Sequence, residues 1–276
     1  MSQAPSPSPL ATPEPWDLVA DDYTAELLPM FEHFARAALE LARARAQRSD
    51  WRGARVLDVA TGPGTLALLA AQSGARVTAV DFSEQMLENL KRRASDAPIE
   101  VVRGDGQALT LASGAFDAAF SMFGLMFFPD RSKGFAELER TLNVGGVAVV
   151  SSWAPFEGVF KTTIAALREE LPDIPLGSGN AALGEPEGFA SELAAAGFEA
   201  AKVEQHAYTT SASSARSFWE SCERTTAPIV LLRRRLGNER WQPIAQKVLE
   251  RLECEHGAGP VEFSTTAYLG SGLKHA

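Results

Sequence analysis

The sequence predicts a doubly wound α/β domain, a parallel sheet covered on both faces by helices. Short, continuously apolar runs recur between residues 55 and 153, as strands buried on both faces require. Segments with apolar residues at helical spacing separate them, and that alternation builds parallel sheets. Composition agrees: 276 residues, 45% hydrophobic and 22% charged, make an ordinary globular chain with a substantial core.

The elements follow in order. Residues 1–15 carry five prolines and little that packs, and read as a disordered leader. Removing residues 1–13 is therefore expected to leave folding and ligand binding intact. Leu27, Phe31, Phe34, Ala38 and Leu41 then recur at helical spacing up to about Gln47, with Pro29 near the start, where it is tolerated. Residues 55–60 form the first strand and 65–72 a helix that Gly74 stops. The second strand is 76–81. Ser83 caps a helix that turns Met86, Leu87, Leu90 and Ala94 to one side. Strands at 99–103 and 115–122 follow, then a helix capped by Asp130 with Phe135, Leu138 and Leu142 inward. Gly145 and Gly146 turn the chain into a fifth strand at 147–153. Beyond it the rhythm loosens. Pro, Gly and Asn cluster over 172–186, a helix at 187–196 stops at Gly197, and 198–206 reads as a strand. Residues 212–254 are mostly helical, and 261–269 form a last strand.

Charge and targeting narrow the function. Lys and Arg number 26 against 35 Asp and Glu, a net charge of −9, so the basic face of a nucleic-acid binder is not expected. No run approaches the roughly 18 apolar residues of a membrane helix, and no secretory pattern opens the chain. Cys222 and Cys254 lack the spacing of a zinc site and read as reduced thiols. A cytoplasmic protein without metal is expected.

The informative segment is VLDVATGPGT, residues 56–65. A buried strand ends in a loop containing Gly62 and Gly64 and a helix follows, which suits an anionic group at the helix N-terminus. Residues 62–67 also satisfy the dinucleotide fingerprint, so an NAD-dependent oxidoreductase is the alternative enzyme. Asp81 ends the second strand, where a carboxylate accepts hydrogen bonds from ribose hydroxyls. Asp105 follows the third strand within reach of an adenine amino group. Asp58 stands just before the loop, where an acid orients an ammonium group directly or through a loop amide. An NAD site gives Asp58 no role.

With VTAVDFSEQML, VVRGDGQAL, FDAAFSMFGLMFFPD and LNVGGVAVVSSW in this order, residues 56–153 resemble the core of class I S-adenosylmethionine-dependent methyltransferases. Within that class they are similar to the ubiquinone/menaquinone-biosynthesis type acting on small molecules. The resemblance implies a seven-stranded, mostly parallel Rossmann-like sheet. It further implies that Ala60, Thr61, Gly62 and Gly64 wrap the methionine moiety and that Asp58 helps hold its amino group. Asp81 would bind the ribose, Phe82 the adenine face, Asp105 and Gly106 the adenine edge. Ser121 and Met122 would lie near the sulfonium, and Tyr23 and Met86 complete the cofactor set. Ala60 departs from the family pattern, which has glycine there.

Taken together these readings divide the chain into a leader (1–15), an N-terminal helical cap (16–50), a cofactor-binding core (51–210), a helical lid insertion (211–258) and a last strand with tail (259–276). The roughly 54 residues between the last two strands exceed an ordinary connection and must carry structure of their own. Trp16, Phe123 and Phe127 are candidate substrate contacts, with Met126 and Phe128 in the same apolar turn. His206 is the candidate base. Arg233, Arg234 and Arg235 read as a solvated helix face. The turn after the fourth strand lacks the (Asn/Asp)-Pro-Pro-(Tyr/Phe) motif that cradles a planar amino nitrogen, so a nucleic-acid base or a glutamine is not the expected acceptor. A small, partly apolar acceptor is, with S-adenosylhomocysteine as the second product. A non-catalytic protein that binds S-adenosylmethionine is the third reading, and oligomeric state stays open.

Overall fold

In the computed structural model, which describes residues 8–174 and 183–275, the apolar runs pair into one seven-stranded sheet of order β3-β2-β1-β4-β5-β7-β6. The strands are β1 (Arg55–Val59), β2 (Arg76–Asp81), β3 (Ile99–Arg103), β4 (Phe116–Ser121), β5 (Leu142–Trp153), β6 (Phe198–Ala212) and β7 (Val261–Lys274). The first five run parallel, and β7 is antiparallel to both β5 and β6. Strand order reverses at β1, whose neighbours are β2 and β4. A ligand crevice opens at the carboxyl ends of the strands at such a switch point.

Helices α1 (Glu14–Glu26) and α2 (Leu28–Arg45) precede the sheet. On one face α2 and α3 (Thr65–Gln72) cover Val56, Val77, Ala118, Phe120 and Val149. α4 (Glu84–Ala94) continues that layer through Leu87 and Leu90, with Ser83 Oγ accepting from the Met86 amide as its cap. The other face is covered by α5 (Arg131–Thr141), capped by Asp130, and α7 (Pro186–Ala195), around Phe135, Phe189 and Leu193.

A third layer holds α6 (Gly158–Glu170), α8 (Ala215–Thr225), α9 (Ala227–Leu236) and α10 (Asn238–His256). Val159 and Leu167 of α6 pack there with Phe218, Trp219, Trp241 and Val248. The fully buried Trp219 and Trp241 carry this layer. Aromatic side chains of that kind remove about 150–250 Å² each from water. Its exposed ion pairs, such as Arg216–Glu253, contribute at most about 1 kcal/mol each.

Four expectations are corrected. The leader is ordered from residue 8: Pro9–Ala11 form a 3₁₀ turn and α1 begins at Glu14. Prolines there pre-set the turn and the first helical positions rather than excluding structure. Residues 1–7 lie outside the described residues, as does 175–182 within the Pro/Gly/Asn cluster. The helix at 158–170 had no counterpart in the sequence reading, and it joins the lid layer rather than the core. Gly145 and Gly146 lie inside β5, where the ladder to β4 shifts register between Phe116 and Ala118. Finally, β6 and β7 run on past residues 206 and 269 as one long hairpin, Ala212 pairing with Val261.

Candidate functional site

A cleft of about 870 Å³, open to solvent on one side, lies where the loops after β1, β2, β3 and β4 converge under α1. Of the residues singled out from sequence, Trp16, Tyr23, Ala60, Gly62, Asp81, Phe82, Met86, Asp105, Gly106, Met122, Phe123 and Phe127 line it.

The loop after β1 alternates left-handed residues, Ala60 at φ 57°, Gly62 at 55° and Gly64 at 78°. The Thr61 amide donates to the Val80 carbonyl at 3.0 Å and the Gly64 amide to the Thr61 carbonyl at 3.0 Å, and Arg93 of α4 holds the Pro63 carbonyl. Gly64 faces α4 rather than the cleft. A Cβ there would stand 2.1 Å from Leu90 Cδ1, so the glycine lets α3 start against α4. Ala60 adopts a conformation that costs a non-glycine residue about 1–2 kcal/mol.

Two buried carboxylates back this loop. Asp58 Oδ2 accepts from Thr61 Oγ1 at 2.6 Å, while Oδ1 is buried with no hydrogen-bond partner. Burial pushes Asp58 up to about 7, against the Thr61 hydroxyl and the Ala67 amide, which favour the ion. Asp81 accepts from the Gly62 amide (Oδ2, 2.8 Å) and the Ser83 amide (Oδ1, 2.8 Å). Burial raises it to about 6, those amides oppose the shift, and the nearby Asp17 charge adds to it. Unfolded carboxyls ionise near 4, so the free protein loses stability as pH rises from about 4 to 7. A ligand that donates to these groups or brings a positive charge favours their ionised forms. Its affinity should rise as pH climbs from 5.5 to 7.5, at most about tenfold per unit per group, with proton release. Calorimetric titration of S-adenosylhomocysteine in two buffers of unlike ionisation enthalpy measures this. An affinity flat across that range removes both carboxylates from the ligand.

Helix α1 closes the cleft. Its Asp17 Oδ1 accepts from Ser83 Oγ at 2.6 Å, and Asn89 Nδ2 donates to the Ala20 carbonyl at 2.8 Å, seating α1 on α4. On its far side Glu26 accepts from Ser221 and Arg224 of the lid. Trp16 packs on Phe127 with centroids 5.1 Å apart and donates Nε1–H to the Leu10 carbonyl at 2.9 Å. Tyr23 stacks on Phe31, and burial with the Asp81 charge pushes its phenol up. Leu10 and Ala11, residues that the leader reading discounted, line the cleft. Deleting residues 1–13 is therefore expected to weaken S-adenosylhomocysteine binding several-fold, against the sequence expectation. Unchanged affinity of the truncated chain restores the leader reading.

Across the cleft, Phe128 of the apolar turn completes the lining with Gly104, Gln107, Gly124 and Pro129, four residues to which the sequence reading gave no role. Gln107 Nε2 donates to Asp105 while its Oε1 accepts from the Asp130 amide, tying the β3 and β4 loops together. Phe123 stands at φ 57°, an outlier for a bulky residue. Its amide donates to Ser151 Oγ at 2.8 Å and its ring stacks on Trp153, centroids 4.0 Å apart.

Several candidates lie elsewhere. Ser121 is fully buried, and its hydroxyl accepts from the Leu125 amide instead of facing the cleft. Thr61 and Asp58 sit behind the loop. His206 lies on the edge strand β6, two strands from Trp153 in register through Ala267, with Glu204 at 3.8 Å. It does not line the cleft, which opens at β1 and β4, while β6 is the far edge of the sheet. Arg234 pairs with Glu14 at 3.6 Å on the lid. Among the described residues no His/Cys/Asp/Glu cluster suits a metal, and no helix is long and apolar enough to cross a membrane.

Residues 57–150 match the family model described as a methyltransferase domain. An uncharacterised protein of Mycobacterium tuberculosis is 36% identical over 129 residues, 46% of this chain and 47% of that one. A demethylmenaquinone methyltransferase of Renibacterium salmoninarum is 41% identical over 124 residues, 44% of this chain and 52% of that one. The chain thus spans about half the length of the curated relatives it matches. A crystal structure of a putative methyltransferase from Bacillus halodurans shares the fold, with TM-score 0.59 and 19% identity over 88% of this chain and 99% of that one.

Proposed function

We propose, from a chain whose residues 57–150 are a methyltransferase domain of the class I, S-adenosylmethionine-dependent type, that it transfers a methyl group to a small, partly apolar molecule. The observation that carries this reading is the pair of buried carboxylates around a left-handed loop. Asp58 Oδ1 is buried without a partner and Asp81 lines the cleft, so the residues present fit a ligand bearing an ammonium group and vicinal hydroxyls. Asp81 would accept from the ribose. Asp58, behind the loop, would act on the amino group through that loop, which it holds by accepting from Thr61 Oγ1. Phe82, Asp105 and Gly106 would frame the adenine.

When bound, S-adenosylmethionine supplies an electrophilic methyl on a sulfonium. The chain's own contribution is alignment and exclusion of water: α1 and its Trp16 cover the cleft, and Phe123, Phe127 and Phe128 form the wall an acceptor meets. Alignment of that kind contributes on the order of 7–11 kcal/mol. No base is assigned, since His206 is remote and a general base adds only about 10²–10⁴-fold where an acceptor needs one.

The test is single turnover with methyl-labelled S-adenosylmethionine and a panel of small phenols, enols and amines. Label in an extractable product supports transfer. Binding of S-adenosylhomocysteine with no transfer to any panel member favours the non-catalytic binding protein.

A further inference from the structure

The geometry points to Ala60 as a positioning residue that sets the acceptor wall, acting through Gly124. This rests on reading the cleft as the cofactor and acceptor site. Ala60 stands where the resembled pattern has glycine, yet it holds a left-handed φ of 57° that glycine adopts without strain. Its methyl is therefore kept against a backbone preference, and the structure shows what it touches. A Cβ built on Gly124 would lie 2.2 Å from the Ala60 Cβ. Gly124 itself has φ −103°, open to any residue, so glycine stands there for space. The methyl and the missing side chain form a knob and a hole across the cleft floor.

The hole lies at the hinge of the wall. Gly124 follows Phe123, whose own φ is 57°, and precedes the 3₁₀ turn Leu125–Phe127. Phe123 is held from behind by Ser151 Oγ and Trp153, while Phe127 meets Trp16 of α1. Seen from the cofactor loop, the Ala60 methyl is the strut that fixes how far these rings stand from it. A smaller residue at 60 or a larger one at 124 changes that spacing, and with it which acceptors fit.

Three variants test this: Ala60→Gly, Gly124→Ala and the exchange of both. Two readouts follow each, S-adenosylhomocysteine affinity by calorimetry and the near-ultraviolet circular dichroism of the Phe123–Trp153 stack. Subtracting the Trp153→Phe spectrum isolates the stack. Gly124→Ala is expected to weaken S-adenosylhomocysteine about tenfold or more and to change the stack signal, since overlapping β-carbons force one loop to move. The exchange refills the same hole from the other side and should restore both readouts, affinity to within about threefold. Ala60→Gly removes the methyl without a clash and should lose most of the stack signal. An exchange variant as impaired as Gly124→Ala overturns the inference, and so does an Ala60→Gly spectrum identical to the parent's. If Gly124→Ala fails to fold, the other two variants carry the test. Parent protein that ignores S-adenosylhomocysteine refutes the cofactor reading, while the dichroism still decides the contact.

Discussion

Asp81→Ala should weaken S-adenosylhomocysteine binding about 10- to 150-fold, the equivalent of about 1.5–3 kcal/mol for hydrogen bonds to a charged group. The carboxylate has two tasks. It lines the cleft, and it holds the Gly62 and Ser83 amides at 2.8 Å each. Removing it leaves those donors short of a partner, at about 1–3 kcal/mol for each one left buried. Thermal stability should therefore fall as well. Asp81→Asn separates the two losses, because its amide oxygen still accepts from one of the two amides while the charge is gone. Affinity should drop in Asp81→Asn nearly as far as in Asp81→Ala, with a smaller loss of stability. Parental affinity in folded Asp81→Asn protein would take the charge out of ligand binding.

Gly64→Ala is expected to be among the most destabilising single-methyl additions in the chain, at about 2–5 kcal/mol from combined strain and overpacking. The new Cβ would lie 2.1 Å from Cδ1 of Leu90, which is fully buried and has nowhere to swing, and φ at 64 is +78°. For a chain of this size the melting temperature should fall by about 5–15 °C. Gly53→Ala is the control, since Gly53 has φ +70° but nothing within 4 Å of an added Cβ. It carries the strain alone, about 1–2 kcal/mol. Equal melting temperatures for the two variants would contradict the close packing of α3 on α4.

The parallel core was legible because burial on both faces leaves short apolar runs, and segments of helical period alternate with them. β2 and β3 begin and end where the sequence placed them. The cleft residues of the strand-end loops were legible for a related reason: loops at the switch point carry side chains with no packing duty, so an Asp at 81 or 105 stands out. What composition hid was tertiary. Leu10 and Ala11 sit in a proline-rich stretch and become part of the cleft only because α1 docks on α4 through Asp17 and Asn89. The helix at 158–170 has a modest apolar face that makes sense only against α10 and α8 in the lid. Ser121 and His206 failed for opposite reasons. One hydroxyl is taken by a backbone amide a turn away, and one imidazole sits on the edge strand, two strands from Trp153. In the sequence Ala60 is only a departure from a glycine pattern, and its partner at 124 becomes visible in the fold.

Calorimetric titration of the full chain with S-adenosylhomocysteine, with NAD as comparator, tests the central claim most directly. Binding of S-adenosylhomocysteine with proton release, and none of NAD, is the predicted result. Binding of NAD alone would contradict it, leaving the Asp58 and Asp105 segments misread and the oxidoreductase reading in their place.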